Sequence, residues 1–395
     1  MNFLSQMGDQ IERRWLVHDY AEDAFPEIVQ QAFRDHDADL LTVDVPQVMQ
    51  WLFVRKSLPD QLQPGEGFGQ VPLTVFRSRR FAIDLYHWLD GTTTVHQHGF
   101  CGAFRVLQGA SLHTVYRWTE HRNVNAYFAL GQLEQQQCEL LRRGDSHPIV
   151  AGKAYIHSLF HLDRPSLSLV VRTVRNPSAE AQYDFKRPGI CINPQVEEPA
   201  LAKVLQGVAV LEQLAHPERD TLIGDYLADA DLHSAFQVLQ QVARARQRLD
   251  ALAPLLARCR PEHQGAMERY VRPALANMLR EAQLIARRRT VTRPDHRFFL
   301  GLLLNVQGRT PLLALIQQRH PGEDAAALAA RWLRELAGLD AVEGPRHNAL
   351  GLPFDDHDVS VFERLLRGDA PTDDARFTEV ARALRSSSLF GPVVA

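Results

Sequence analysis

Between residues 70 and about 192 the chain changes to a period of two, and this stretch restricts its fold more than any other. Segments 71–76, 81–88, 103–107, 111–118, 127–130, 138–142, 154–157 and 167–174 are short, mostly alternating, and rich in β-branched and aromatic residues. Gly, Asp and Pro punctuate them. Some eight strands at roughly ten-residue spacing predict a closed antiparallel barrel or a double-sheet jelly roll. Before this stretch, residues 1 to about 60 read as helical, with apolar positions three and four apart in 9–15, 26–34 and 45–54. A turn-rich linker over 59–69 follows. From Pro199 onward the texture is helical again (201–215, 232–252, 266–287, 297–306, 325–337 and 361–366), with Pro261, Pro273, Pro294, Pro311 and Pro321 breaking or bounding the segments.

The strand-rich stretch also carries the densest chemistry. Eight of the seventeen histidines fall between His87 and His161, against about three for an even spread. His96 and His98 are one residue apart, and on a strand that spacing turns both imidazoles to one face. Two neutral imidazoles on one face suit a divalent transition metal. A third donor follows in Tyr155-Ile-His157-Ser-Leu-Phe-His161, where His157 and His161 are the alternatives.

Here the chain resembles the cupin superfamily. Gly91, His96, His98 and Gly109 follow the first cupin signature, except that Gly102 and Ala103 stand where a glutamate ligand is usual. Loss of that acid implies a three-histidine site. Cupins of that kind resemble thiol dioxygenases of the cysteine dioxygenase type over residues 70–180. The segments 80–88, 104–118 and 155–169 carry the likeness. The resemblance implies His96, His98 and His157 as ligands and Fe(II) as the metal, with Zn, Ni and Mn as alternatives. It also implies an arginine from an early strand that aligns a substrate carboxylate, for which Arg77 is the candidate beside Arg79. On the late strand, Val170 and Arg172 replace two residues of the family's catalytic network. Arg172 then either anchors an acidic substrate or pairs with Asp84. Tyr116, Tyr155 and His113 are candidates for acid/base or orienting roles. Cys101 has no tyrosine partner for a cross-link and is read as a small buried residue.

Composition narrows the remaining classes. A net charge of −3 leaves no electrostatic footprint for nucleic acid. No apolar run of about 18 residues spans a bilayer, and the start has neither a basic region nor an apolar core of a secretory signal. Cys101, Cys138, Cys191 and Cys259 are too far apart for a zinc pair or a disulfide framework, which suits a reducing cytoplasm. Positive charge is nearly all arginine, with lysine only at 56, 153, 186 and 203, a texture expected of a bacterial genome rich in GC. Glu212 and His216 share a helix face but lack the second motif that a di-iron bundle needs. No P-loop, dinucleotide fingerprint or nucleophile elbow occurs.

The sequence therefore predicts an α+β chain: a helical lead over 1–60, a cupin barrel (double-stranded β-helix) over 65–195, and a helical domain over 196–395. The expected function is a mononuclear iron oxygenase acting with O2 on a small polar substrate such as an amino acid, a thiol or a natural-product intermediate. A non-redox metal cupin (isomerase or hydrolase) and a ligand-sensing cupin with a partner-binding helical half are the alternatives. The helical region would serve as a homodimer surface or as a cover for the barrel mouth.

Overall fold

A computed structural model describes residues 1–62, 69–89, 93–174, 181–195, 198–339, 348–369 and 374–394. Gly91 of the cupin-like signature and the middle of the 59–69 linker lie outside the described residues. The strands are β1 (Val71–Arg77), β2 (Phe81–Trp88), β3 (Val95–His98), β4 (Gly102–Gln108), β5 (Ser111–Asn125), β6 (Phe128–Leu141), β7 (Ser146–Ile149), β8 (Gly152–His161), β9 (Ser166–Thr173), β10 (Asp184–Lys186) and β11 (Ile190–Ile192). The expected segments 127–130 and 138–142 are one strand, β6, because residues between them keep pairing with β5. Among the described residues no helix is long and apolar enough to cross a membrane.

The chain divides into two compact units, 1–116 with 135–181 and 287–395, and 117–134 with 182–286. They do not follow the three segments of the sequence. The C-terminal helices separate at residue 286, and the far ends of β5 and β6 group with the first of them.

In the first unit a five-stranded sheet has the order β1-β2-β9-β4-β7, and β6, β5, β8 and β3 are neighbours in a second sheet. On β2, Phe81, Ile83 and Leu85 point to one face and Asp84, Tyr86 and Trp88 to the other, as a period of two requires. The first set joins Leu167, Leu169 and Val171 of β9 and Ala103 of β4 in a core with Leu4, Met7, Ile11, Trp15, Phe25, Val29 and Phe33 of the N-terminal helices Phe3–Val17 and Phe25–Asp35. Both faces of β2 are buried, so all eight of its residues are. The opposite face carries Tyr86, Trp88, Phe104, Val106 and Val170, which pack with Leu141, Ile149 and Leu159. Trp88 stacks on His161 of β8 with ring centroids 4.2 Å apart, so the inner faces of the two sheets meet. This is the double-sheet barrel implied by the cupin resemblance.

The last hundred residues of this unit seat a helix on the back of β8. A side chain at Gly301 in helix Pro294–Asn305 would meet Phe160 at 2.9 Å and Leu162 at 3.0 Å, so only glycine admits this approach. Arg288 donates to the carbonyls of His161 (2.8 Å) and Leu162 (2.6 Å) and lies over the Phe160 ring. Phe298, Phe299, Trp332, Phe362 and Phe390 form the apolar interior of these helices.

In the second unit, β10, β11 and the distal part of β6 pair in sequence, with Ile190 opposite Leu130 and Ile192 opposite Phe128. Their apolar side chains join Leu201, Phe236, Leu239, Val242, Leu255 and Leu275 of the helices in one core.

Candidate metal centre

The strand β3 presents His96 and His98 to one side, while Gln97 between them turns away and donates to the Ala181 carbonyl (2.9 Å). In the β3–β8 pairing, His96 is the register partner of His157. One donor atom from each of His96, His98 and His157 lies within 4.8 Å of the others, and all three residues are buried. His98 Nε2 and His157 Nε2 are 2.9 Å apart. His96 Nδ1 faces the Thr94 carbonyl at 2.8 Å, so its proton belongs on Nδ1 and its Nε2 is the ligand atom.

Burial, then neighbouring charged groups, decides the protonation of His98 and His157. Burial is the first cause that holds His98 well below the usual imidazole range, with His96 and Arg172 adding to it. Burial again leads for His157, followed by His96 and His98. These rings are neutral at pH 7, which is the form that binds a metal. A 2.9 Å gap between two ring nitrogens is close to the about 3.0 Å expected of two ligands at right angles on one ion with bonds of about 2.1 Å. The donor set thus fits a divalent transition metal with open coordination positions.

His161, the alternative third donor, shares the inner face of β8 but sits four residues on. It stacks on Trp88 and pairs through Nδ1 with Ser111 Oγ (2.9 Å), away from the trio. The long-range register of β3 on β8 makes this choice. The missing glutamate also has a structural reason. A Cβ at Gly102 would stand 1.9 Å from the Val171 carbonyl oxygen of the neighbouring strand, so the position has no room for an acid.

The predicted catalytic residues separate. Tyr155 joins the site: its ring centroid is 4.6 Å from that of His157, and its hydroxyl is 2.9 Å from His113 Nε2. Burial, then Glu139, raises its hydroxyl pKa, so it stays a neutral phenol. Arg172 lies beside the trio, with its guanidinium carbon 5.4 Å from the Phe100 ring, and Phe100 packs on His98 at 4.5 Å. Its Nε donates to Asp84 Oδ2 (2.8 Å), and Asp84 also accepts from Thr74 Oγ1 (2.7 Å) and Tyr86 Oη (3.2 Å). Burial pulls the guanidinium pKa down, but Tyr86 and Asp84 outweigh it and the net shift is upward. The sequence offered anchor or ion pair; the structure shows the ion pair.

Arg77 and Tyr116 are not brought to the histidines. Arg77 ends β1 with an exposed side chain, opposite Ala82. Tyr116 is buried on β5, but His113 and Tyr116 are three residues apart on a regularly paired strand, so they leave it on opposite faces. Cys101 is buried, and burial raises its thiol pKa to about 11, so it is no ready nucleophile.

Sequence reasoning missed Glu139. His113 Nδ1 lies 2.8 Å from Glu139 Oε1, and His113 Nε2 lies 3.2 Å from His157 Nδ1. The only sequence signal was the alternation of a strand thought to start at residue 138, which gave no reason to single out one acid.

No family model and no curated protein matches the chain. Solved structures do. A hydroquinone 1,2-dioxygenase in complex with Cd2+ and 4-hydroxybenzonitrile is 14% identical over 29% of this chain and 69% of that one, with a TM-score of 0.22. A cupin-2 domain containing protein from Shewanella frigidimarina is 10% identical over 34% and 95%, with a TM-score of 0.20. A recombinant oxalate oxidase in complex with glycolate is 16% identical over 40% and 74%, with a TM-score of 0.21. The chain's own two sheets and three gathered histidines have the arrangement that its sequence resemblance to cupins implied.

Proposed function

We propose that the chain is a metal-dependent cupin oxygenase in which His96, His98 and His157 hold one Fe(II) ion, and that its substrate is a small polar molecule bearing a carboxylate. The observation that carries this reading is the convergence of three buried imidazoles from two strands. Nickel, manganese and zinc are the alternative metals for the same donors. When bound, such an ion supplies Lewis acidity, a template for substrate and O2, and, for iron, redox chemistry.

The chain's own residues supply the rest. Asp84 takes the Nε edge of Arg172 and so fixes the direction of the guanidinium, whose planar fork suits an anion. Phe100, between Arg172 and His98, sets the distance from that anion to the trio. Tyr155 Oη holds a proton beside the site, since burial keeps it from ionising. Trp88, Phe104 and Val170 line the inner face and exclude water. An amino acid or a carboxylate-bearing thiol would satisfy these demands, as would an acidic natural-product intermediate.

The test is to purify the protein without oxygen, quantify bound metal, and repeat with His96→Ala and His157→Ala. Iron bound to the wild type and lost from both variants is expected. Iron retained by both would overturn the ligand set. Oxygen uptake is then measured against a panel of small carboxylates, thiols and amino acids. Arg172→Met should raise KM for a carboxylate substrate about ten- to a hundredfold, the worth of a hydrogen bond to a charged group. Turnover without oxygen would move the reading to a non-redox cupin, and a metal-free wild type would favour a ligand sensor.

A further inference from the structure

A second group of donors lies at the edge of the inner face. His113 comes from β5, Glu139 from β6 and His147 from β7, so three different strands meet here. His113 Nδ1 and His147 Nε2 point at the same oxygen, Glu139 Oε1, from 2.8 and 3.1 Å. One donor atom from each residue lies within 4.8 Å of the others. The rings are held in place: His147 packs on His113 at 4.5 Å between centroids and on Phe104 at 5.8 Å. The His113 side chain is fully covered, whereas Glu139 and His147 keep 28% and 27% of their side-chain exposure. The group therefore has a buried floor and a wet side through which an ion can enter. Burial lowers the His147 pKa, and the His113 hydrogen bond lowers that of Glu139, so the ring is neutral and the carboxylate ionised at pH 7. Two imidazoles and one carboxylate, with further positions left for water, are a donor set used for zinc and for non-haem iron.

We propose that His113, Glu139 and His147 form a second site for a divalent transition metal of the zinc class, and that its occupancy opposes metal binding by the His96–His98–His157 trio. The antagonism, which rests on the trio being a metal site, follows from the position of one proton. With a metal on His157 Nε2, the His157 proton is on Nδ1 and is directed at His113 Nε2, 3.2 Å away. His113 then accepts there and donates from Nδ1 to Glu139. A cation in the second site takes the Nδ1 lone pair of His113 and shifts the ring proton to Nε2. That N–H now confronts the N–H of His157. Tyr155 Oη, 2.9 Å from the same nitrogen, becomes its acceptor, and His157 loses its partner. Loss of such a supporting contact typically weakens a metal site ten- to a hundredfold. The effect is reciprocal, because coupling between two bound ligands has one free energy.

The test is a Zn2+ titration of the full-length, metal-stripped protein against a competing chelator, read as bound equivalents and stepwise affinities. The wild type should bind two equivalents, the second at least about tenfold more weakly than the first. His147→Ala, a change at a half-open position, should bind one, and Glu139→Gln guards against a folding artefact in that variant. The double variant His96→Ala/His98→Ala should bind one equivalent, at least about tenfold more tightly than the wild type's second step. One wild-type equivalent that survives His147→Ala and disappears in the double variant overturns the second site and leaves the trio standing. One equivalent that survives the double variant and disappears with His147→Ala removes the trio and with it the antagonism. Two equivalents of independent affinity overturn the antagonism alone.

Discussion

On β2 the side chains of Phe81, Ile83 and Leu85 leave the sheet toward the N-terminal helices, and those of Asp84, Tyr86 and Trp88 leave it toward the histidines. On β9, Leu167, Leu169 and Val171 go one way, and Ser168, Val170 and Arg172 go the other. The outer face is closed by apolar packing with rings such as Trp15, Phe25 and Phe81. The inner face is also largely buried but carries an ion pair, a tyrosine–carboxylate bond and a cluster of imidazoles. Burial does different work on the two sides. Outside it releases water from apolar surface and stabilises the fold. Inside it suppresses the charged forms of histidines and makes an unpaired charge expensive.

That contrast can be broken at single residues. Phe81→Ala on the outer face should cost about 3–5 kcal/mol of stability, the usual range for a buried aromatic, while the folded protein keeps its metal stoichiometry. Chemical denaturation and metal analysis on one preparation would check both. Arg172→Met on the inner face should cost about 3 kcal/mol, because it leaves Asp84 buried with only Thr74 and Tyr86 to satisfy it. Adding Asp84→Asn should recover most of that loss; if the double variant is no more stable than the single one, the ion pair is not the reason.

Acid sharpens the comparison further. Burial, then Arg288, lowers the pKa of His161 from 6.5 to about 3. Below pH 6.5 the unfolded ring takes up a proton that the folded ring refuses. The stability held at neutral pH is therefore lost as pH falls from about 6.5 toward 3, at up to about 1.4 kcal/mol per pH unit for this residue. His161→Gln should make the acid limb of stability in the metal-stripped protein shallower by one proton. The mildest change, Tyr155→Phe, removes one hydroxyl contact to His113. It should cost about 1 kcal/mol in thermal or chemical unfolding and leave the trio able to bind metal.

Much of this was legible along the chain. Alternation over 81–88 and 167–174 already separates the two faces, and His96 with His98 marks the inner one. Val45–Val54 is helical over the range that its spacing predicts, with Asp44 capping through the Gln47 amide. Strand lengths were less legible, since a polar stretch such as 131–137 in β6 continues to pair although it loses its apolar rhythm. The family resemblance pointed to Arg77 as an arginine of an early strand, and Tyr116 was a candidate for its hydroxyl. Exposure removes the first, and strand parity removes the second.

Taken alone, the order of residues settled the local periods, the slightly negative overall charge, and the presence of a histidine pair that can face one ion. Those properties depend on neighbours within a few positions. Which distant histidine completes the pair, which acid stands behind His157 through His113, and whether residues 287–395 group with the barrel were decided only in three dimensions. Each of these depends on a strand register or a helix seat made between segments far apart in the chain, where a shift of one residue would turn every inward side chain outward.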